Sequence, residues 1–168
     1  MNKFFRDSII HIPLFVLLLN ILHTDCLFGE WTNWRGPNFN GSSDYTGALH
    51  SKFDKQNSVK WSCSLPGPSA ATPIIFDDMV FLPSIQVNKL KGRGDGELLA
   101  LCLDKSNGEV LWKKNAGSGY KPGDSDGFDY QLHDRSNYAS PSPVICGKSV
   151  VFFYGNGDLI SFDFKGKE

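Results

Sequence analysis

Apolar residues from about residue 58 onward come in short runs separated by turn-forming residues. Residues 59–64 alternate apolar and polar side chains, as a half-buried strand does. Later runs have the same length and are bounded by Gly, Asp, Asn or Pro, which favour turns. The pattern predicts no long helix in this part of the chain. It predicts β-strands at 59–64, 72–76, 79–84, 97–103, 109–115, 143–146, 149–154 and 158–164.

The order of these strands and turns repeats along the chain. Residues 72–75 (Thr-Pro-Ile-Ile) match residues 142–145 (Ser-Pro-Val-Ile), and the apolar run that ends at Asp104 matches the run that ends at Asp163. Repeats of four strands at roughly 40 to 50 residues are typical of β-propellers. The sequence therefore predicts an all-β fold, a partial β-propeller of about two four-stranded antiparallel blades.

The predicted blades are one at about 72–115 and an incomplete one at about 142–168. The lone strand at 59–64 has the signature of a blade's last strand, so it is expected to close the ring against the other end of the chain. The sequence ends where a strand containing Trp should begin, which favours the interpretation that the chain is the N-terminal part of a longer protein.

Several residues recur at fixed places in the repeat. Val59-Lys60-Trp61 matches Val110-Leu111-Trp112, and each Trp would supply a large apolar plate between neighbouring blades. Asp and Gly mark the turns, where Gly tolerates a positive φ. The residues assigned to the repeat structure, rather than to a ligand, are Trp61, Trp112, Asp104, Gly108, Gly157 and Asp163.

These motifs resemble the quinoprotein-type repeat of pyrroloquinoline quinone (PQQ)-like propellers. Residues 101–112 and 157–166 are similar to G-x-L-x-A-L-D-x-x-T-G-x-x-x-W, with Ser106-Asn107 where Thr is usual. Residues 31–41 (Trp-Thr-Asn-Trp-Arg-Gly-Pro-Asn-Phe-Asn-Gly) are similar to the W-x-x-(F/W)-R-G-P-x-x-x-G entry of exported PQQ-like propellers. The resemblance covers about residues 31–168. It implies about seven or eight blades in the full-length protein.

The first 29 residues differ in composition from the rest. A basic start with Lys3 and Arg6 precedes an apolar stretch, Ile9–Leu22, and then polar residues. This order is typical of a secretory signal peptide, and the apolar core of about 14 residues is shorter than a membrane-spanning helix. We expect residues 1–29 to be a signal peptide and residues 30–168 to be exported, periplasmic or secreted. The alternatives are an uncleaved anchor, a buried helix or a lipid on Cys26.

Charge and composition exclude some partners. The 168 residues carry 17 Lys and Arg against 18 Asp and Glu, a formal net charge of −1. A nucleic-acid-binding protein usually has a basic surplus, so no nucleic acid is expected as a partner. We expect no transmembrane span once the signal peptide is cleaved.

The four cysteines do not form a metal-binding pattern. Neither a C-x-x-C pair nor a Cys/His cluster is present, so we expect no metal site. Cys63, Cys102 and Cys146 each lie in a strand-like apolar run, where an unpaired Cys behaves as a small buried apolar residue. The sequence also lacks the G-x-S-x-G and phosphate-loop motifs, so it indicates no catalytic residue.

The insertion between Trp112 and Ser142 is the main candidate for a functional loop. Its acidic residues 124–129 lack the spacing of a calcium loop, and a solvated loop is the simpler interpretation. The stretch that follows resembles an element that enters a blade in the exported relatives. Its candidate ligand-binding residues are His133, Arg135 and Asn137. The alternative, favoured for His133 and Arg135, is that they hold the insertion against the blade.

Two functions remain open. The favoured hypothesis is a non-catalytic binding or scaffold module of the cell envelope, which takes an unknown protein or small-molecule ligand on the propeller face. The alternative is a quinoprotein dehydrogenase with PQQ and calcium on the propeller axis. The adjacent Cys pair and the acidic and amide residues that such enzymes use for calcium are not recognisable. The resemblance therefore implies ancestry and does not establish that a cofactor binds.

Overall fold

The chain is described by a computed structural model that covers residues 31–47, 51–87, 96–118 and 137–168. These residues form two antiparallel sheets and no helix. Sheet 1 contains β1 (Ile74–Phe76), β2 (Met79–Val87), β3 (Gly96–Asp104) and β4 (Val110–Ser118). Sheet 2 contains β5 (Val144–Cys146), β6 (Ser149–Phe153) and β7 (Leu159–Asp163). The predicted all-β class is confirmed, and the second sheet has the three strands predicted between residues 143 and 164.

Within the described ranges, no helix is long and apolar enough to cross a membrane. The predicted signal peptide, residues 1–29, lies outside these ranges.

The two sheets repeat the same strand pairing. Each is a meander, in which strands consecutive in sequence are neighbours in the sheet. Asp104 lies opposite Met79, the first residue of β2, and Asp163 lies opposite Ser149, the first residue of β6. The first strands, β1 and β5, occupy the same edge of their sheets. The sequence match between residues 72–75 and 142–145 is therefore a structural equivalence.

Sheet 1 is buried on both faces, which explains the continuous apolar run in β3. Leu98, Ala100 and Cys102 are fully buried in a cluster that they share with sheet 2. Leu101 and Leu103 belong to a second cluster on the opposite face. Because successive side chains of a strand point to opposite faces, a strand covered on both sides needs apolar residues at every position.

The segment that precedes β1 covers the second face of sheet 1. Trp61, Cys63 and Leu65 pack against the cluster there. Side chains 61–70 alternate between half-buried and exposed, as the sequence pattern indicates, but residues 59–64 form no strand. The strand predicted at 59–64 is therefore wrong. An alternating pattern predicts which side chains face a sheet, but a β-strand also needs a partner strand for its backbone hydrogen bonds. No described strand pairs with residues 59–64.

Among the residues that the structure describes, cover is found on one face of sheet 2 only. Val150, Phe152 and Phe162 face sheet 1 and are buried. The other face carries Val144 and Leu159, which are 41% and 68% exposed. Ile74, the equivalent of Val144 in sheet 1, is 0% exposed. Val144 and Ile74 thus occupy the same position in their strands. They differ in exposure because sheet 2 packs over Ile74, whereas no described element packs over Val144.

The open face of sheet 2 also corrects the prediction for the cysteines. Cys102 is buried in sheet 1, and burial raises the pKa of its thiol to about 12. Cys63 is half-buried, but Cys146 in β5 is exposed, so its predicted burial is wrong. An apolar run indicates that a strand can be buried, and whether it is buried depends on what packs on each face.

A buried hydroxyl group gives a direct test of the packing between the sheets. Tyr154 is 0% exposed and lies in the shared core, and its Oη atom has no hydrogen-bond partner among the described residues. A buried polar group without a partner costs about 1–3 kcal/mol. We expect Tyr154→Phe to raise the free energy of unfolding by about 1 kcal/mol in urea titrations. A loss of stability would instead mean that the hydroxyl has a partner, such as a buried water.

Candidate functional site

Two tryptophans dock on equivalent turns. The Trp61 Nε1–H group donates to the carbonyl oxygen of Lys105 at 2.9 Å, and its ring lies against Gly108. The Trp112 Nε1–H group donates to the carbonyl oxygen of Phe164 at 3.0 Å, and its ring lies against Gly166. Lys105 and Phe164 each directly follow the aspartate of their turn. The predicted structural role of both Trp residues is consistent with these contacts.

Glycine is needed at both docking turns for two reasons. Gly108 and Gly166 have φ angles of 77° and 78°, in the left-handed region that other residues rarely adopt. A Cβ at Gly166 would also lie 3.0 Å from the Trp112 ring. Gly157, at the other end of sheet 2, has a φ of 96°, but a Cβ there would contact nothing within 4 Å.

The aspartates hold these turns together. Asp104 Oδ1 accepts a hydrogen bond from the backbone N–H of Ser106 at 2.7 Å. Asp163 Oδ1 accepts bonds from the backbone N–H groups of Lys165 and Lys167, each at 2.9 Å. Because these bonds favour the charged carboxylate, they lower the pKa of both groups, through the bonds to Ser106 for Asp104 and mainly through the bond to Lys167 for Asp163.

The lowered pKa values predict a loss of stability in acid. A carboxyl whose pKa is lower in the folded state contributes stability above its unfolded pKa of about 3.9, and that contribution is lost as the pH falls through the folded pKa. We expect the melting temperature to fall between pH 5 and pH 3, and to fall less in Asp163→Asn, whose amide oxygen can still accept the N–H bonds. An unchanged pH dependence in Asp163→Asn would contradict this role.

The segments that lead into β1 and β5 are joined by hydrogen bonds between equivalent residues. Ser69 Oγ–H donates to the carbonyl oxygen of Ala139 at 3.1 Å, and the Thr72 N–H donates to Ser142 Oγ at 2.9 Å. Both bonds connect residues that are 70 positions apart. The entry segments of the two sheets therefore lie side by side.

Asn137, one of the candidate ligand-binding residues, belongs to this junction. Its Nδ2–H group donates to the carbonyl oxygen of Pro68 at 3.3 Å, and its Oδ1 accepts the Ala139 N–H at 2.8 Å. Both polar groups of the side chain thus bind protein atoms. The other candidates, His133 and Arg135, lie outside the described residues, and their roles stay predictions.

A second candidate region is the loop at residues 33–41, here called the Trp34 loop. Trp31 and Ile75 exchange two backbone hydrogen bonds, of 3.0 and 2.8 Å, and the carbonyl oxygen of Thr32 accepts the Ile145 N–H at 3.0 Å. Ile75 and Ile145 lie in β1 and β5, so the residues just before the loop bind the first strand of both sheets. The Trp34 loop is therefore fixed at its start.

Internal hydrogen bonds fold the Trp34 loop into consecutive turns. The Gly36 N–H donates to the Asn33 carbonyl at 2.9 Å, and the Gly41 N–H donates to the Arg35 carbonyl at 2.9 Å. The buried Asn33 side chain donates to the Gly36 carbonyl at 2.9 Å. Arg35 and Phe39 have positive φ angles, 64° and 55°, although neither is glycine. Such backbone strain persists only where the surroundings enforce it, and it concentrates at functional sites.

The folded loop exposes two aromatic side chains, one of which lies beside a cation. Trp34 is 62% exposed and Phe39 is 74% exposed. The Arg35 guanidinium lies 5.5 Å from the centroid of the Trp34 ring, a cation–π distance, and its Nη2 donates to the Asn40 carbonyl at 3.0 Å. Residues 31–41 were recognised from the sequence only as a family motif, so Trp34 and Arg35 were not among the predicted site residues. The signal was present in two large aromatic residues within a Gly- and Asn-rich, non-strand segment.

The described residues bring together no cluster of carboxylates of the kind that binds calcium. Calcium takes about six to eight oxygen ligands, usually with several carboxylates. No group of three or more His, Cys, Asp or Glu side chains in the described ranges could hold a metal ion. The carboxylates of Asp104 and Asp163 already accept hydrogen bonds within their own turns.

Comparisons of the chain with protein-family models, with curated proteins and with solved structures found no match in any of the three.

Proposed function

We propose that the chain forms part of an exported β-propeller of the PQQ-like repeat type, which acts as a non-catalytic binding or scaffold module of the cell envelope. The observation that carries the proposal is the repeated docking of Trp61 on Gly108 and of Trp112 on Gly166. Trp112 belongs to the last strand of sheet 1 and docks on sheet 2. Trp61 docks on sheet 1 in the same way, so residues 59–65 stand where the last strand of a preceding blade would lie.

The open face of sheet 2 supports the same arrangement. Sheet 1 is covered on one side by residues 61–65 and on the other by sheet 2. Sheet 2 lacks cover at Val144 and Leu159, the positions where sheet 1 has the buried residues Ile74 and Ala100. A further blade packed on this face would bury them as sheet 2 buries Ile74, because blades are repeats that cannot bury a face alone.

A binding role accounts better for the described residues than catalysis does. The polar side chains at the junction of the entry segments, Ser69, Asn137 and Ser142, are used to join the two sheets. The Trp34 loop, in contrast, is built rigidly and leaves its aromatic rings and guanidinium accessible. Exposed aromatic and Arg side chains are the residue types that bind ligands and partners.

The test is to incubate the full chain with PQQ and Ca²⁺. After removal of free quinone, we expect no retained quinone absorbance and no dye-linked oxidation of alcohols or aldoses. Stoichiometric bound quinone would overturn the non-catalytic role in favour of the dehydrogenase.

Export is tested separately by N-terminal sequencing of the secreted protein, which we expect to begin between about Leu27 and Trp31. Material that starts at Met1 would contradict cleavage.

A further inference from the structure

We propose that the Trp34 loop binds an acidic saccharide, with a pyranose ring against the open face of Trp34 and its carboxylate on the Arg35 guanidinium. The inference rests on the proposed binding function and names the ligand class for it. It begins from the exposure of Trp34, at 62%, in a loop whose backbone is fixed on both sheets. The exposed ring lies beside the Arg35 cation on a loop that internal hydrogen bonds hold, a combination of apolar surface and charge that suits a ligand.

The shape of the site fits one flat ring. The guanidinium of Arg35 lies 5.5 Å from the centroid of the Trp34 ring, and 62% of the surface of Trp34 is exposed to solvent. Indole presents a flat apolar face with a polar N–H edge, which matches the apolar C–H face and hydroxyl rim of a sugar ring. Phe39, 74% exposed in the same loop, offers a second apolar contact for a neighbouring sugar unit.

The charge of the site fits a carboxylate. Arg35 is the only charged residue between positions 31 and 43. One of its N–H groups donates to the Asn40 carbonyl, which fixes the guanidinium, and the other N–H groups are directed to no described acceptor. Arginine binds carboxylates through paired, charge-assisted hydrogen bonds. The exposed side chains of Asn38 and Ser43 supply further groups that can bond to hydroxyls.

The size of the loop favours a small ligand over a protein. A stable protein interface buries about 800 Å² on each partner. One aromatic side chain contributes roughly 150–250 Å² when fully buried, so Trp34 and Phe39 together supply about two thirds of that area at most. A short saccharide needs no larger surface, and a preformed loop binds it without a further ordering cost.

The polar surroundings favour a saccharide over a lipid surface. An aromatic loop that inserts into a membrane interface is normally accompanied by several basic residues, because anionic lipids attract them. Here a single Arg is flanked by Asn and Ser, and the whole chain has a net charge of −1. Membrane binding is therefore an alternative for the test to separate.

The experiment follows the indole N–H signals of the full chain by NMR, with the Trp34 signal assigned from Trp34→Phe. The Trp61 and Trp112 indole groups donate to carbonyl oxygens and report on folding. The probe is trigalacturonate, and the neutral control is maltotriose. We expect trigalacturonate to shift the Trp34 signal in a saturable way, with the Trp61 and Trp112 signals unchanged. Maltotriose should bind at least about tenfold more weakly, a difference of about 1.4 kcal/mol.

Two substitutions of Arg35 test whether its positive charge or the hydrogen-bonding geometry of its guanidinium favours the acidic saccharide. Arg35→Gln should weaken trigalacturonate binding about tenfold and remove the preference over maltotriose, whereas Arg35→Lys should keep part of it because the charge remains. No shift of the Trp34 signal, or equal binding of both saccharides, would overturn the proposal. Tighter binding to phosphatidylserine vesicles or to an aspartate pentapeptide would overturn it as well. These outcomes leave the PQQ result untouched, so a failure of the ligand class is distinguishable from a failure of the binding role.

Discussion

Replacing Trp112 by alanine is expected to lower the free energy of unfolding by about 3 kcal/mol. The ring lies between the two sheets, with centroid distances of 5.9 Å to Phe81, 5.7 Å to Phe162 and 6.5 Å to Phe152. Its N–H group also bonds to the Phe164 carbonyl at 3.0 Å. Truncation of a large aromatic core residue costs about 3–5 kcal/mol, and the low end applies because Trp112 is half-buried.

The measurement is urea denaturation followed by far-ultraviolet circular dichroism, which does not depend on Trp fluorescence. The matched control is Trp34→Ala, because Trp34 is mostly exposed and should change stability by less than about 1 kcal/mol. Trp112→Phe should fall between the two, since it keeps part of the ring packing and loses the hydrogen bond. If Trp112→Ala and Trp34→Ala cost the same, Trp112 does not join the sheets.

The elements that local sequence determines were predicted well. The strands that became β1–β7 were predicted to within a few residues, because each combines alternating or continuous apolar residues with a turn at its end. The Asp104 turn and the Asp163 turn were recognised as equivalent because an apolar run ends at each aspartate and a glycine follows it within a few residues. In the structure, the two turns lie at the same strand register, and a different Trp docks on each of them in the same way. A repeat thus makes a structural equivalence visible in one sequence.

The features that depend on neighbouring layers were not predictable in the same way. Residues 59–64 have the alternation of a strand and pack as one, but no described backbone lies beside them to pair with. Cys146 has the apolar neighbours of a buried residue, yet it points to the open face of sheet 2. Nor does periodicity reveal the Trp34 loop. Its conformation depends on positive φ angles at Arg35 and Phe39, residue types that give no local sign of them.

The contacts that join the two sheets are also long-range. The bonds from Ser69 to Ala139 and from Thr72 to Ser142 span 70 residues. Short polar side chains in Pro-rich segments indicate a loop, but their partners follow only when the two repeats lie side by side. The docked Trp residues provide that placement, since each ring binds the turn of the next sheet. The sequence repeat therefore explains which strands and turns form, and the docking of the Trp rings explains how the two sheets are arranged.

The Trp61 docking leads to the second large effect, at Gly108. Gly108→Ala is expected to cost about 2–4 kcal/mol, because φ at this position is 77° and a Cβ would lie inside the contact distance of the Trp61 ring. The ring cannot move away without losing its 2.9 Å hydrogen bond to the Lys105 carbonyl.

The matched control is Gly157→Ala, where φ is 96° and a Cβ would contact nothing within 4 Å, so only the backbone cost of about 1 kcal/mol should appear. In a Trp61→Ala background, the cost of Gly108→Ala should fall to that of Gly157→Ala in urea denaturation, since the ring is gone. An equal cost of Gly108→Ala in both backgrounds would show that the Trp61 ring does not rest on this glycine.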